Sequence, residues 1–396
     1  MTSPSPGVLD WLERLIGIDT TSRDSNLPLI DLVAEHARSL GLSPHVFPNA
    51  DGTKANLVVT VPDRDGGTDG GIMLSGHSDV VPVDGQAWAS DPFTLTERDG
   101  LLHGRGTADM KGFDAIIVNA LADLVAEPLA EPVHIALSYD EEVGCLGAQP
   151  LVDGLASVGL NPRVCFVGEP TSMRMIRGHK SINLVTIALS GFAAHSSLTA
   201  QGVNAIEHAA SIVRYWRDRA DAWRADGPFD EAYPITYTTG SVNEISGGNG
   251  VNIIPAEASV TLEFRSIGTA ADDQAEIDGL IAFCREVESA MKAEANVFGE
   301  ADAVGVRVDV RAQTPGLDTP ADGAAVVLGR ELGLAVQDDK VTYGTEAGIY
   351  ANAGISTVVV GPGDIAQAHK ADEFIDPDPL AQCEAFIGRL IDHLRS

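Results

Sequence analysis

Residues 71–79 read GIMLSGHSD, and GRGTADMKG follows at residues 104–112. The first stretch contains an apolar run bounded by glycines, which predicts a buried strand that ends at His77. In open α/β sheets, functional side chains lie just beyond the carboxyl ends of the strands. We therefore expect His77, Asp79 and Asp109 to belong to a metal site, and the rest of the chain to supply further ligands and the surrounding scaffold.

Strands and helices alternate through the first 180 residues, which predicts a mostly parallel sheet. Two further predicted strands, at 133–139 and 164–168, are each followed by carboxylates. These are Glu141 and Glu142 after the first strand and Glu169 after the second. Three strand ends in this segment therefore carry a histidine or acids.

The pattern changes near residue 180, which indicates a second domain. The predicted elements then follow the order β-α-β-β-α-β, typical of a ferredoxin-like α+β domain, before the α/β pattern returns near residue 314. A chain of 396 residues also exceeds one ordinary hydrophobic core. We expect an α/β fold of two domains: a catalytic domain formed by 1–181 and 314–396, and an inserted domain at 182–313.

The net charge and the cysteine content disfavour some classes of function and some cellular locations. The net charge is −31, from 26 Lys and Arg against 57 Asp and Glu. This balance disfavours nucleic acid or an anionic membrane as a partner, and solubilising surface charge is its simplest interpretation. The four cysteines form no C-x-x-C motif, and the sequence has no export segment or membrane-length apolar run. We expect a cytoplasmic protein.

A hydrolytic two-metal site needs a bridging carboxylate, further ligands to each metal and a base for the shared water. Each candidate alone is typical of a helix cap or a satisfied polar group, but several at consecutive strand ends favour a metal site. Glu141 and Glu142 are adjacent, and a cation would relieve their repulsion. Carboxylates and imidazoles suit zinc, cobalt or manganese. The candidates are His77, Asp79, Asp109, Glu141, Glu142, Glu169 and His369.

These residues lie in motifs that together resemble the zinc aminoacylase/carboxypeptidase G/succinyl-diaminopimelate desuccinylase family of metallopeptidases. The motifs are GHSDVVPV (76–83), GRGTADMKG (104–112), EEVG (141–144), GEPT (168–171) and the late His369. Other stretches are similar to family members that release acetate from N2-acetyl-L-ornithine. They are DGQAW (84–88), DPF (91–93), HSS (195–197), GVNA (202–205) and GPGDIAQAH (361–369). The resemblance covers nearly the whole chain.

The resemblance implies two zinc ions, with cobalt as an alternative. By analogy, Asp109 bridges the two ions. His77 and Glu169 complete the ligands of one ion, and Glu142 and His369 those of the other. The family also has a cis peptide bond after the bridging aspartate, which would be the bond between Asp109 and Met110.

The resemblance also implies roles for residues that do not bind metal. Glu141 would be the general base, and Asp79 would orient His77 through its second ring nitrogen. His195 in the inserted domain would cross from a partner subunit to stabilise the oxyanion, which implies a homodimer formed through that domain. Without the resemblance, His195 would be interpreted as a surface histidine.

Three positions match residues near the substrate. They are Asn252, Arg265 and Thr345. Arginine suits bidentate binding of a carboxylate, although a structural ion pair explains Arg265 equally well.

The activity that the resemblance implies is metal-dependent removal of acetate from N2-acetyl-L-ornithine, which yields L-ornithine for arginine biosynthesis. Other activities stay open at this point. The chain could be another N-acyl amino acid deacylase or a dipeptidase of the same family. It could also be a catalytically silent metal-binding module, or an acidic structural protein that binds no transition metal.

Overall fold

The computed structural model describes residues 3–396 and divides into two compact units. The first unit comprises the chain up to Gly178 together with Leu317–Lys340 and Thr345–Ser396. The second comprises His179–Gly316 and Val341–Gly344. The sequence predicts an inserted domain at 182–313, so the two divisions differ by three residues at each end. The short return at 341–344 has no signal in the sequence.

The elements up to residue 179 are α1 (Pro6–Ile16), α2 (Leu27–Ser39), β1 (His45–Pro48), β2 (Ala55–Val61), β3 (Ile72–His77), β4 (Thr96–Arg98), β5 (Leu101–His103), α3 (Lys111–Asn119), α4 (Leu121–Ala126), β6 (Val133–Ser138), α5 (Ala148–Ser157), β7 (Val164–Val167), β8 (Arg174–Met175) and β9 (Gly178–His179). The inserted segment contains β10 (Ile182–Ser190), α6 (Ala205–Asp226), β11 (Thr239–Gly247), β12 (Glu257–Arg265), α7 (Ala270–Asn296) and β13 (Gly305–Thr314). The chain closes with β14 (Leu317–Asp318), α8 (Ala324–Glu331), β15 (Ala335–Val336), α9 (Ala347–Asn352), β16 (Ser356–Val359), β17 (Phe374–Ile375) and α10 (Pro377–Arg395).

The first unit is built on a six-stranded sheet in the order β1-β2-β6-β3-β7-β16. The four strands β6, β3, β7 and β16 run parallel, whereas β2 and β1 are added antiparallel at one edge. All residues of β2, β3, β6 and β7 are buried, as expected where a sheet is covered on both faces. The prediction of a mostly parallel sheet therefore holds for four of the six strands, and these include the three strands that precede the predicted site residues.

Helices cover this sheet through apolar stripes. Helix α1 begins after Ser5, whose hydroxyl accepts a hydrogen bond from the N–H of Val8, and it buries residues such as Leu12 and Ile16. The helical stretch that follows Asp109 is interrupted at Ala120, so that α3 and α4 are separate. The buried side chains of this unit form one continuous hydrophobic core.

The second unit is a four-stranded antiparallel sheet in the order β11-β12-β10-β13, packed against α6 and α7. Its chain order is β-α-β-β-α-β, as the sequence predicts, and it has a hydrophobic core of its own. Strand β11 lies at one edge of this sheet and has no fully buried residue. Among residues 3–396, no helix is both long enough and apolar enough to cross a membrane.

Candidate active site

Three neighbouring parallel strands of the first unit end at the same edge of the sheet. His77 is the last residue of β3 and pairs in register with Ser138, the last residue of β6. Glu141 follows β6 after a short turn, and Glu169 lies two residues beyond the end of β7. Because carboxyl ends of parallel strands meet at one edge, side chains from distant parts of the sequence converge there.

Asp109 lies at the centre of the resulting cluster. Its Oδ1 is 3.1 Å from Nε2 of His77, and its Oδ2 is 3.4 Å from Nε2 of His369. On the Oδ1 side, Nε2 of His77 also lies 3.9 Å from Oε1 of Glu169. On the Oδ2 side, Nε2 of His369 lies 2.9 Å from Oε2 of Glu142. The two oxygens of Asp109 thus face two different histidine–glutamate pairs. The peptide bond from Asp109 to Met110 is cis, as the resemblance implies.

Asp79 contacts the cluster mainly through the backbone of the acidic turn. Its Oδ1 accepts the N–H of Glu141 at 3.0 Å, and its Oδ2 accepts the N–H of Glu142 at 3.3 Å and the hydroxyl of Ser22 at 2.7 Å. The ring Nδ1 of His77 lies 2.9 Å from the backbone carbonyl of Asp79 but 3.7 Å from its carboxylate. In this structure the carbonyl of Asp79 contacts the His77 ring, and the carboxylate holds the two glutamates.

Glu141 points into the cluster without contacting either histidine at hydrogen-bond distance in the described structure. A carboxylate oxygen of Glu141 lies within 4.8 Å of ligand atoms of His77 and Glu169. The Sγ–H of Cys145 donates to Oε1 of Glu141 at 3.2 Å. Sequence reasoning missed both Cys145 and Ser22, because a small side chain that contacts a site residue has no pattern of its own.

Burial and crowding of negative charge shift the pKa values of the acids. Burial, together with repulsion from Glu142 and Asp109, raises the pKa of Glu141 to about 8. Burial and the charge of Asp109 raise the pKa of Glu142 to about 7, and burial raises that of Glu169 well above its usual range. Asp109 differs because the hydrogen bonds from its two histidines outweigh the effect of burial and lower its pKa.

The pKa values of the two histidines are also raised, in their case by the neighbouring carboxylates. Burial alone would lower the pKa of His77, but the carboxylates of Asp109 and Glu169 outweigh it and raise this pKa well above its usual value. Hydrogen bonds to Asp109 and Glu142 raise the pKa of His369 to about 10. The cluster therefore holds positive charge strongly, as expected of a site that binds cations.

The donor set fits one or two transition-metal ions. The two groups of candidate ligands whose atoms lie within 4.8 Å of one another are His77 with Glu141 and Glu169, and His77 with Asp109 and Glu142. Oε1 of Glu169 is buried without a hydrogen-bond partner among the described residues, so a cation would satisfy it. Imidazole nitrogen and carboxylate oxygen are donors that zinc accepts.

The sequence profile described as "Peptidase family M20/M25/M40" matches residues 73–393. The chain belongs to this family. Its relatives include acetylornithine deacetylase of Proteus mirabilis, which is 35% identical over 380 residues, or 95% of this chain and 92% of the relative. Acetylornithine deacetylase of Klebsiella pneumoniae is 34% identical over 371 residues, or 93% and 91% of the two chains. The family predicted from the motifs is thereby confirmed.

Solved structures of the M20 family share the fold. The metallo-carboxypeptidase of Sulfolobus solfataricus superposes with a TM-score of 0.72 at 16% identity and covers 99% of each chain. A Bacillus subtilis protein described as a dinuclear metal binding peptidase superposes with a TM-score of 0.63 at 14% identity, covering 98% of this chain and 97% of the other. These likenesses confirm the predicted fold class.

Thr345 lies in the first unit of this M20 chain, one residue before a buried acid. The Oγ1 of Thr345 accepts the N–H of Ala347 at 3.1 Å at the start of α9. Glu346 is fully buried, and its carboxylate accepts the hydroxyls of Ser75 at 2.8 Å and Ser138 at 2.7 Å. These hydrogen bonds attach α9 to β3 and β6 next to the strand ends that carry the cluster.

The remaining predicted residues lie in the second unit, at two separate places. His195 and Asn252 are on paired loops, since the N–H of Ser196 donates to the carbonyl of Asn252 at 2.9 Å. Arg265 is the last residue of β12 and forms an ion pair with Glu263, Nε to Oε1 at 2.6 Å. The ion pair that the sequence left open for Arg265 is therefore present.

Replacement of Asp79 by alanine should loosen the acidic turn. The backbone N–H groups of Glu141 and Glu142 would lose their acceptor, and a buried unsatisfied donor costs about 1–3 kcal/mol. We expect hydrogen exchange of the peptide that contains these amides to accelerate by about one to two orders of magnitude in the metal-free protein. Mass spectrometry of a fragment spanning residues 138–146 measures this.

The matched control is Ser22→Ala, which removes the hydroxyl from Asp79 but leaves both backbone contacts. Its effect on exchange should be clearly smaller. Equal exchange in the Asp79→Ala variant and the unmodified protein would show that the carboxylate does not hold the turn.

Proposed function

We propose that this chain is a metal-dependent amidohydrolase that removes acetate from N2-acetyl-L-ornithine and yields L-ornithine, as arginine biosynthesis requires. The observation that carries the proposal is the arrangement around Asp109, whose two oxygens face two histidine–glutamate pairs. Relatives that match more than nine-tenths of the chain are named acetylornithine deacetylases, which supports the choice of substrate. We also retain the expectation of a cytoplasmic location.

We propose that the cluster holds two zinc ions, with cobalt as a possible replacement. Asp109 would bridge them, with His77 and Glu169 on one side and Glu142 and His369 on the other. Such a pair polarises an amide carbonyl and lowers the pKa of water. The excess of carboxylates over imidazoles, together with the unpartnered Oε1 of Glu169, supports this assignment.

Glu141 is the proton carrier in this proposal. Its carboxylate takes a proton from the attacking water as the water oxygen joins the acyl carbon. The same proton passes to the amine nitrogen as the carbon–nitrogen bond breaks, so that acetate and the free amine leave. The backbone bond from Glu141 to Asp79 and the thiol contact from Cys145 hold the carboxylate in place for both steps.

His195 is suited to donate a hydrogen bond to an oxyanion. Its Nδ1 accepts the backbone N–H of Ser197 at 3.2 Å, so the proton of a neutral ring is on Nε2. The side chain is exposed and its Nε2 is available to a ligand. We propose that this N–H stabilises the oxyanion that forms when water attacks the amide.

We further propose that His195 acts in a homodimer formed through the inserted unit. Asn252 precedes the first residue of β12 in sequence, and the loop of His195 pairs with the loop of Asn252. Arg265, in contrast, is the last residue of β12. Eight residue steps along a strand span about 27 Å, which exceeds the length of one acylated amino acid. One substrate therefore cannot contact all three residues of one chain. If Arg265 binds the substrate in one subunit, His195 and Asn252 must come from the partner.

The substrate proposal predicts a clear order of activities. With zinc or cobalt present, the protein should hydrolyse N-acetyl-L-ornithine faster than N-succinyl-diaminopimelate, other N-acetyl amino acids and dipeptides, measured as released amine. Prior treatment with a chelator should abolish the reaction, and added zinc should restore it. Metal-dependent activity on a different substrate would discard acetylornithine and keep the hydrolase. Bound metal with no activity on any of them would favour a silent binding module.

Replacement of Glu141 by glutamine should lower kcat by about 10²- to 10⁴-fold, because a positioned general base contributes that much. Zinc binding, measured by calorimetric titration, should persist, since this residue is not among the proposed ligands. Glu35→Gln, an exposed position on α2, is the control and should keep full activity. Normal turnover by the Glu141→Gln variant would remove Glu141 from the mechanism.

Replacement of His195 by alanine should cost about 10²- to 10³-fold in kcat, as for other lost oxyanion donors. A mixture of two variants tests more sharply whether each active site is shared between two subunits. When the His195→Ala and Glu141→Gln variants are co-refolded, each mixed dimer should contain one intact site, which restores roughly a quarter of normal activity for random pairing in a two-fold dimer. No recovery, although sedimentation detects mixed dimers, would place His195 outside a shared site.

A further inference from the structure

A buried carboxylate outside the metal-binding cluster holds the loop that presents Asp109. Glu373 is 1% exposed and accepts four hydrogen bonds. Its Oε1 accepts the backbone N–H of Ala108 at 2.9 Å and of Asp109 at 3.2 Å. Its Oε2 accepts the N–H of Gly106 at 3.0 Å and Nη1 of Arg105 at 2.6 Å. One side chain thus fixes the backbone from Gly106 to Asp109 and also contacts the side chain of Arg105.

The pairing of two short strands places Glu373 beside this loop. Strand β17 pairs antiparallel with β5, with Phe374 opposite His103, and the N–H of Gly104 donates to the carbonyl of Glu373 at 3.0 Å. The residue before the β17 strand therefore lies beside the residue that follows β5. The register of two very short strands decides which side chain reaches the loop.

The same network continues to His369 from the other side. Arg105 is also 1% exposed, and its Nη2 donates to Oε1 of Gln86 at 2.7 Å. Nε2 of Gln86 in turn donates to the backbone carbonyl of His369 at 3.1 Å. Nε1 of Trp88 also donates to Oε1 of Gln86, at 3.1 Å, which fixes the orientation of the amide.

His369 needs such support because of its backbone. It has a φ of 64°, in the left-handed region that residues other than glycine rarely adopt, and it lies in a loop outside regular secondary structure. A residue keeps this conformation only where its surroundings enforce it. The bond from Gln86 to the His369 carbonyl is one such contact.

We propose that Glu373, Arg105 and Gln86 are positioning residues that fix the separation of Asp109 and His369 before metal binds. The inference rests on the proposed function only in taking these two residues as metal ligands. They are 260 positions apart in sequence (369 − 109), yet their side chains lie 3.4 Å apart across the cluster. Ligands that are already ordered lose less conformational freedom on binding, which increases affinity.

The test compares Glu373→Gln and Gln86→Ala with the unmodified full-length protein. Glutamine at 373 keeps the shape but replaces one acceptor oxygen by an NH₂ group, which faces backbone N–H donors and repels them. Alanine at 86 removes the contacts of Gln86 to His369 and to Nη2 of Arg105, but it leaves all four hydrogen bonds of Glu373 in place. Calorimetric titration of zinc into chelator-treated protein should give an affinity lower by about 10- to 100-fold for Glu373→Gln, and a smaller loss for Gln86→Ala.

Two readouts separate positioning from general stability. The visible spectrum of the cobalt-loaded protein should change in both variants, because it reports ligand geometry. The unfolding temperature of metal-free Gln86→Ala should stay close to that of the unmodified protein, whereas that of Glu373→Gln should fall, because buried Arg105 and backbone N–H groups lose an acceptor. Asp372→Asn is the matched control. Its carboxylate accepts the N–H of Ala89 at 2.9 Å and contacts Arg98 rather than the loop, so zinc affinity should be unchanged.

Unchanged zinc affinity together with an unchanged cobalt spectrum in Glu373→Gln and Gln86→Ala would overturn the proposal. If Glu373→Gln does not fold, the result for Gln86→Ala decides alone. Gln86 is partly exposed, so its replacement should leave the protein folded. These readouts do not use substrate. Weakened zinc binding in the variants of a protein that fails to hydrolyse N-acetyl-L-ornithine would therefore reject the proposed substrate and support the positioning role.

Discussion

Repulsion among buried carboxylates is the constraint on which the first unit depends. Asp109, Glu141, Glu142 and Glu169 meet in a space where low dielectric makes like charges far more costly than at the surface. Two imidazoles offset only part of that charge, which is why three of the four acids have raised pKa values. The cluster is therefore least stable without cations, and bound metal stabilises the fold by mass action.

The scaffold keeps these acids together by fixing the backbone rather than the carboxylates. The neighbouring parallel strands β6, β3 and β7 bring His77, Glu141 and Glu169 to one edge in a fixed register. Asp79 and Glu373 then accept backbone N–H groups of the turns that carry the acids. Both supports leave the carboxylate oxygens of these acids free, so the scaffold would not compete with the proposed binding of metal.

How much of the fold and of the site can be predicted from the sequence depends on how far apart in the sequence the interacting residues lie. His77, Glu141 and Glu169 could be placed from the sequence because apolar runs that end in polar residues indicate strand ends locally. His369 needed the resemblance, since it lies in a loop without periodicity. The contacts of Glu373 join segments 264 or more residues apart and leave no local pattern. The bounds of strand β11 could not be predicted from the sequence, because it is a largely exposed edge strand whose apolar alternation is weak.

The two sides of the cluster differ in access to solvent, and this difference explains where support is concentrated. The side chains of His77 and Glu169 are 1% and 5% exposed, whereas that of His369 is 53% exposed. The buried side is ordered by core packing around β3 and β7. His369 itself faces water, whereas Glu142 beside it is only 5% exposed. His369 has no strand or helix to order it, so hydrogen bonds such as that from Gln86 must do so. In the proposed function, water, metal and substrate would reach the cluster past His369, which has to be accessible and yet already in place.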